Sequence, residues 1–79
     1  MVQLNGKDFT TPAPLSDMTS AERKYFVMGN LAAAYDHGDA KEAAKNVNGT
    51  VYLGNQAIMT PVDGDESADT LVKTLNNIK

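Results

Sequence analysis

A small two-layer α+β domain is the fold class this sequence predicts, and three observations predict it. Two short apolar-alternating segment pairs are joined at Asn5-Gly6 and Gly54-Asn55. A long apolar-periodic segment follows a capping box at Thr19, and a second one runs to the C-terminus. A chain of 79 residues holds one core and about four or five elements, so residues 1–79 read as a single domain.

The first pair, Val2-Gln3-Leu4 and Lys7-Asp8-Phe9, spans a hairpin over about 2–10, because Asn-Gly accepts the positive φ angles of a two-residue type I′ turn. Leu4 is expected to face Lys7 and Val2 to face Phe9, with Val2, Leu4 and Phe9 on one side. Pro12 and Pro14 then fix φ and remove donors, which makes Thr10 to Asp17 an extended connector.

Thr19-Ser20-Ala21-Glu22 carries capping-box spacing and opens a long helix over about 20–37. At 100° per residue Val27, Met28, Leu31, Ala34 and Tyr35 share its core face, and Gly38 stands where a left-handed glycine ends a helix. Asp39-Ala40-Lys41-Glu42 repeats the capping spacing, and Ala43, Ala44 and Val47 give a short second helix over about 40–47. A second hairpin over about 50–60 turns at Gly54-Asn55 in type II′ form, with Val51, Leu53 and Ile58 on one face and Tyr52, Ala57 and Met59 on the other. The two hairpins are expected to build one antiparallel sheet. A C-terminal helix over about 66–78 follows an acidic start at Asp63-Gly64-Asp65-Glu66, with Ala68, Leu71, Val72, Leu75 and Ile78 as its stripe.

Composition narrows the function classes. The absence of cysteine removes disulfides and thiolate metal sites and fits a reducing compartment. With no export signal after Met1, a cytoplasmic location is expected. The longest apolar run, Leu31 to Tyr35, is far shorter than the roughly 18 to 20 residues that span a bilayer, so no membrane role is expected. A net charge of −3, with ten acids against seven scattered bases, argues against nucleic acid as partner.

No constellation for catalysis, cofactor or metal emerges. His37 is the lone histidine, set between Asp36 and Asp39 at a helix end, and a metal or acid/base site would need further ligand types around it. Ser20 and His37 sit at opposite ends of one helix, about 25 Å apart, which rules out a Ser-His pair. Asp63, Asp65, Ser67 and Asp69 alternate like calcium ligands, but Ala68 and Thr74 occupy the positions where the loop glycine and the bidentate Glu belong. Asn48-Gly49-Thr50 fits a glycosylation acceptor and, better, a turn. An enzyme built from His37, carboxylates and Tyr35 or Tyr52 is the weakest of three readings.

The long helix is more informative. Phe26 projects about 140° from Leu31, beside Asn30 and Ala33 with Gly29 nearby, while Ala21, Tyr25 and Ala32 extend the apolar character around the other flank. Two accounts compete. Either the helix is sandwiched, its second face covered by the short or the last helix, or Tyr25, Phe26, Gly29 and Ala33 form a partner-binding face. The second account describes a non-enzymatic adaptor, inhibitor or accessory protein of the kind phages and mobile elements encode, with a protein as partner. Its structural alternative is a self-assembling subunit, a homodimer or a virion-type component.

Overall fold

The computed structural model describes residues 1–79. Two turns set the strand pairing. Asn5 and Gly6 take φ of 54° and 75°, the two positive values a type I′ turn needs, and join β1 (Val2–Leu4) to β2 (Lys7–Thr10). Asn48 and Gly49 repeat this at 52° and 88° and join β3 (Ala44–Val47) to β4 (Thr50–Leu53). At the third turn only Gly54 is positive, as type II′ geometry requires, and β5 (Gln56–Met59) follows. The helices are α1 (Ser20–Asp36) and α2 (Ala68–Ile78).

The α+β class is as predicted, but the sheet is divided. β1 and β2 form a two-stranded ribbon, and β3-β4-β5 form a separate antiparallel sheet. The predicted helix over 40–47 is a correction: a single 3₁₀ turn, Asp39–Lys41, leads directly into β3. Asn48-Gly49 is the reason, since a type I′ turn feeds a strand on each side and sets the register Val47 to Thr50 through Ala44 to Leu53. Asp39 also caps no helix, because its Oδ1 accepts from the Asn55 amide at 3.1 Å. That contact explains why residue 54 is glycine: besides its φ of 59°, a Cβ there would stand 2.8 Å from Asp39 Cβ and from Glu42 Oε2.

Two of the three hairpins, β1–β2 and β4–β5, carry a bulge. Gln3 pairs with Asp8 but Val2 pairs with Thr10, not with Phe9 as alternation predicts. Phe9 is the extra residue, and Phe9 and Thr10 are consequently buried in succession. In β5, Ala57 pairs with Tyr52 and Met59 with Val51, so Ile58 is extra and both Ile58 and Met59 turn inward. The buried Thr10 hydroxyl donates to the Glu66 carboxylate at 3.0 and 3.1 Å.

The core joins Val2 and Phe9 from the ribbon, Val27, Leu31 and Ala34 from α1, Ala44, Val51, Leu53, Ile58 and Met59 from the sheet, and Leu71 and Leu75 from α2. α2 lies against β2, β3 and β4, whereas α1 lies against β5, β1 and the 3₁₀ turn. α2 begins two residues later than predicted, capped by the Ser67 hydroxyl on the Thr70 amide, and Glu66 stays outside it. α1 opens with the predicted capping box: Thr19 Oγ1 accepts from the Glu22 amide at 3.1 Å and Glu22 Oε1 from the Thr19 amide at 2.9 Å. It ends at His37, with Gly38 at φ 82°.

Each outer strand of the three-stranded sheet is met by a helix asparagine. Asn76 of α2 accepts from the Ala44 amide at 2.8 Å and donates to the Ala44 carbonyl at 3.3 Å, as a neighbouring strand would. Asn30 of α1 donates to the Ile58 carbonyl at 2.9 Å. Asn30 therefore faces the sheet rather than the outer side where its neighbour Phe26 points.

One ion pair locks the connector to this frame. Arg23 of α1 and Asp65 meet at 2.9 Å, with side chains 8% and 0% exposed. Arg23 Nη1 also donates to the Ala13 carbonyl at 2.7 Å and Nη2 to the Thr60 carbonyl at 3.4 Å. Asp65 accepts from the Ala13 and Val62 amides at 2.7 and 2.9 Å. Burial by itself would raise the Asp65 carboxyl, but the two amides and the Arg23 guanidinium outweigh it and hold it below the ordinary aspartate value.

A depressed folded-state value means that Asp65 contributes its full stability above the unfolded value near 3.8, and loses it as the pH falls through the folded value. Asp65→Asn should therefore destabilise the fold by about 3 kcal/mol at neutral pH, since a buried guanidinium loses its anion. It should also flatten the acid limb of the stability profile. Arg23→Met combined with Asp65→Asn should cost less than the sum of the single changes. Denaturant unfolding from pH 7 to 3 checks all three, and additive singles would refute the coupling.

Candidate partner-binding face

Arg23, Val27, Leu31 and Ala34 form the inward side of α1, and all are buried. The sequence places Met28 and Tyr35 on that side as well, but each is 43% exposed. They sit at one edge of the stripe, and the burial of Arg23 with its ion pair, together with Asn30 on the sheet edge, rotates the helix toward the opposite edge. Arg23 is thus a core position that hydropathy alone assigns to solvent, as its long stem and single charge would suggest.

The four residues of the proposed face divide as follows. Tyr25 and Phe26 are 69% and 63% exposed, Gly29 is exposed, and Ala33 is half-buried. Neither the 3₁₀ turn nor α2 covers Tyr25 and Phe26, so the sandwiched arrangement is not what the chain adopts. A Cβ built on Gly29 meets nothing within 4 Å. No internal close approach therefore accounts for a glycine in mid-helix, where it costs about 1 kcal/mol relative to alanine.

A groove lies on each flank of this ridge. One, of about 350 Å³, opens between α1 and the β1–β2 turn, lined by Leu4, Asn5, Met28, Leu31, Ala32 and Tyr35 among others. The second, of about 360 Å³, lies between α1, β5 and the connector, where Phe26, Val27, Ile58, Met59, Leu15 and Met18 are among its lining. Leu15 and Met18 reach it because their backbones bond across the Ser16-Asp17 turn at 2.8 and 3.4 Å. Both grooves are mainly apolar and open to solvent.

The remaining candidates lie elsewhere. His37 is a helix C-cap whose amide donates to the Ala33 carbonyl at 3.0 Å, followed by the Gly38 amide on the Tyr35 carbonyl at 3.3 Å, and the nearest acid to its ring is Asp36 at 4.0 Å. Tyr52 stands opposite Lys45 and Ala57 in the sheet, in a different element. Three of the four alternating Asp and Ser side chains have separate duties: Asp65 in the ion pair, Ser67 as cap, and Asp69 accepting from Asn46 Nδ2 at 3.0 Å. No group of three or more His, Asp or Glu side chains converges in metal-ligating geometry, and no helix is long and apolar enough to cross a membrane. No protein-family model, no curated protein and no solved structure matches the chain.

Because nothing inside the fold needs the bare backbone at Gly29, Gly29→Ala should stabilise the protein by about 0.5 to 1 kcal/mol through helix propensity. Urea denaturation measures it. A loss of stability would show that the glycine serves the fold.

Proposed function

We propose that this protein is a non-enzymatic binding module, an adaptor, inhibitor or accessory factor that acts by occupying a surface of a larger protein, with the outer side of α1 as its contact face. One observation carries the reading: α1 displays Tyr25 and Phe26 to solvent between two apolar grooves, although it contributes fully to the core on its other side. Aromatic side chains supply large contact area with few rotatable bonds, and they dominate the energetics of protein interfaces. Single exposed apolar residues are ordinary on protein surfaces, whereas a run of them along one helix, with Met28 and Tyr35 at its edge, is the pattern of an interaction site.

Self-assembly through the same face is the alternative. Light scattering over a concentration series, on the wild type and on Phe26→Asp, separates the two. The binding-module reading expects a monomer for both at every concentration, with unchanged circular dichroism. A concentration-dependent dimer that Phe26→Asp dissolves would instead support a self-assembling subunit.

A further inference from the structure

The charges that α1 itself carries on its exposed side are all of one sign. Projected at 100° per residue, the outward half of the helix runs through Ala32, Tyr25, Asp36, Gly29, Glu22, Ala33 and Phe26, and its only ionisable charges are the two carboxylates. Of the two bases on the helix, Arg23 is buried with Asp65, and Lys24 is half-buried about 140° around from Gly29. Glu22 and Asp36 stand fourteen residues apart, about 21 Å along the axis, with the apolar ridge between them.

Neither helix geometry nor an internal partner accounts for Asp36. It lies at the C-terminal end of α1, where the helix dipole disfavours a negative charge, and the last turn contains no basic residue. Its carboxylate is 85% exposed, and the one side-chain nitrogen beside it is His37 Nε2, at the long distance of 4.0 Å. Glu22, at the other end, uses Oε1 on the Thr19 amide. That bond, with help from the Thr19 hydroxyl, holds its carboxyl below the ordinary value and keeps it ionised. Between these poles Gly29 forms a saddle, with no side chain and nothing within 4 Å, at which a second helix can cross closely.

Resting on the binding-module reading, we infer that the occupant of this face is a basic amphipathic helix of another protein. It crosses α1 at Gly29, seats apolar side chains in the grooves beside Phe26 and Met28, and brings Lys or Arg to Glu22 and Asp36. A second copy of this chain suits the face less well. An antiparallel pairing centred on Gly29 brings Glu22 against Asp36, and a parallel one brings each acid against itself, like charges in both cases.

The test uses three synthetic helical peptides of eighteen residues with one shared leucine stripe and lysine, glutamine or glutamate at the polar positions. Fluorescence anisotropy measures their binding to the full chain at low and high salt. The lysine peptide should bind most tightly and weaken as salt rises. Glu22→Gln with Asp36→Asn, which retains the cap, should weaken it by about three- to tenfold and leave the glutamine peptide unaffected. Gly29→Val and Phe26→Asp should abolish binding of all three.

If glutamine or glutamate peptides bind as well as lysine, and Phe26→Asp still removes them, the basic-partner inference fails while the binding face stands. If lysine binding survives Phe26→Asp and Gly29→Val, the attraction is not at this face and the inference fails with it. If no peptide binds, or if the chain dimerises through Phe26, the inference is likewise overturned.

Discussion

The ion pair between Arg23 and Asp65 is the constraint on which the placement of α1 depends. Taken alone, a buried ion pair is a poor source of stability, because the desolvation of two charges offsets their attraction. Here its consequence is positional. The guanidinium reaches the Ala13 and Thr60 carbonyls and the carboxylate gathers the Ala13 and Val62 amides, so three segments distant in sequence meet at one point. The connector between the ribbon and α1 contains two prolines and little regular pairing, and without this anchor its backbone groups at Ala13 would lack partners. With it, no buried side-chain nitrogen or oxygen is left unpaired. The same anchor turns α1 so that Arg23 faces inward, which lifts Tyr25 and Phe26 outward.

A three-stranded sheet has two open edges, and open edges invite unwanted pairing. Both are engaged by side chains rather than by further strands. Asn76 satisfies both polar groups of Ala44, and Asn30 takes the carbonyl freed by the Ile58 bulge. These contacts attach one helix to each edge and allow five short strands to suffice without the single continuous sheet that two hairpins would suggest. α1, placed at an edge, has only part of its circumference against protein. α2 lies against three strands and buries its stripe at Leu71 and Leu75. The difference in exposure between the helices follows from where each meets the sheet.

Local signals with a strict backbone requirement were legible in the sequence. The Asn5-Gly6 and Gly54-Asn55 turns, the Thr19 to Glu22 capping box and the glycine stop at Gly38 each impose particular φ values or particular bonds, and each occurs where the residues place it. The misreadings arise where tertiary contacts decide. Ala43, Ala44 and Val47 have helical spacing, yet Asn48-Gly49 and the pairing to β4 make this segment a strand, and Asp39, whose spacing resembles a cap, binds the Asn55 amide instead. Strict alternation misassigns Phe9 and Ile58 because a bulge adds one residue and shifts the register. For the candidate face, Tyr25, Phe26 and Gly29 were visible as apolar or small residues off the core stripe. Their exposure depended on the partner of Arg23, which no local pattern names.

The two sides of α1 impose different demands on one segment, and its composition reflects both. A helix that only had to pack on β5 would be served by a single apolar stripe with a charged and polar outer surface, as in α2, where Asp69, Lys73 and Asn77 are exposed. α1 instead places aromatic, small and acidic residues outward, including a glycine that weakens the helix and an aspartate at its unfavourable end. Neither feature aids folding. The stability they forgo is supplied elsewhere in the element, by the capping box at Thr19 and the buried contacts of Val27, Leu31 and Ala34. A secure N-terminus and a well-filled inward stripe therefore leave the outer side free to be shaped by something other than the fold.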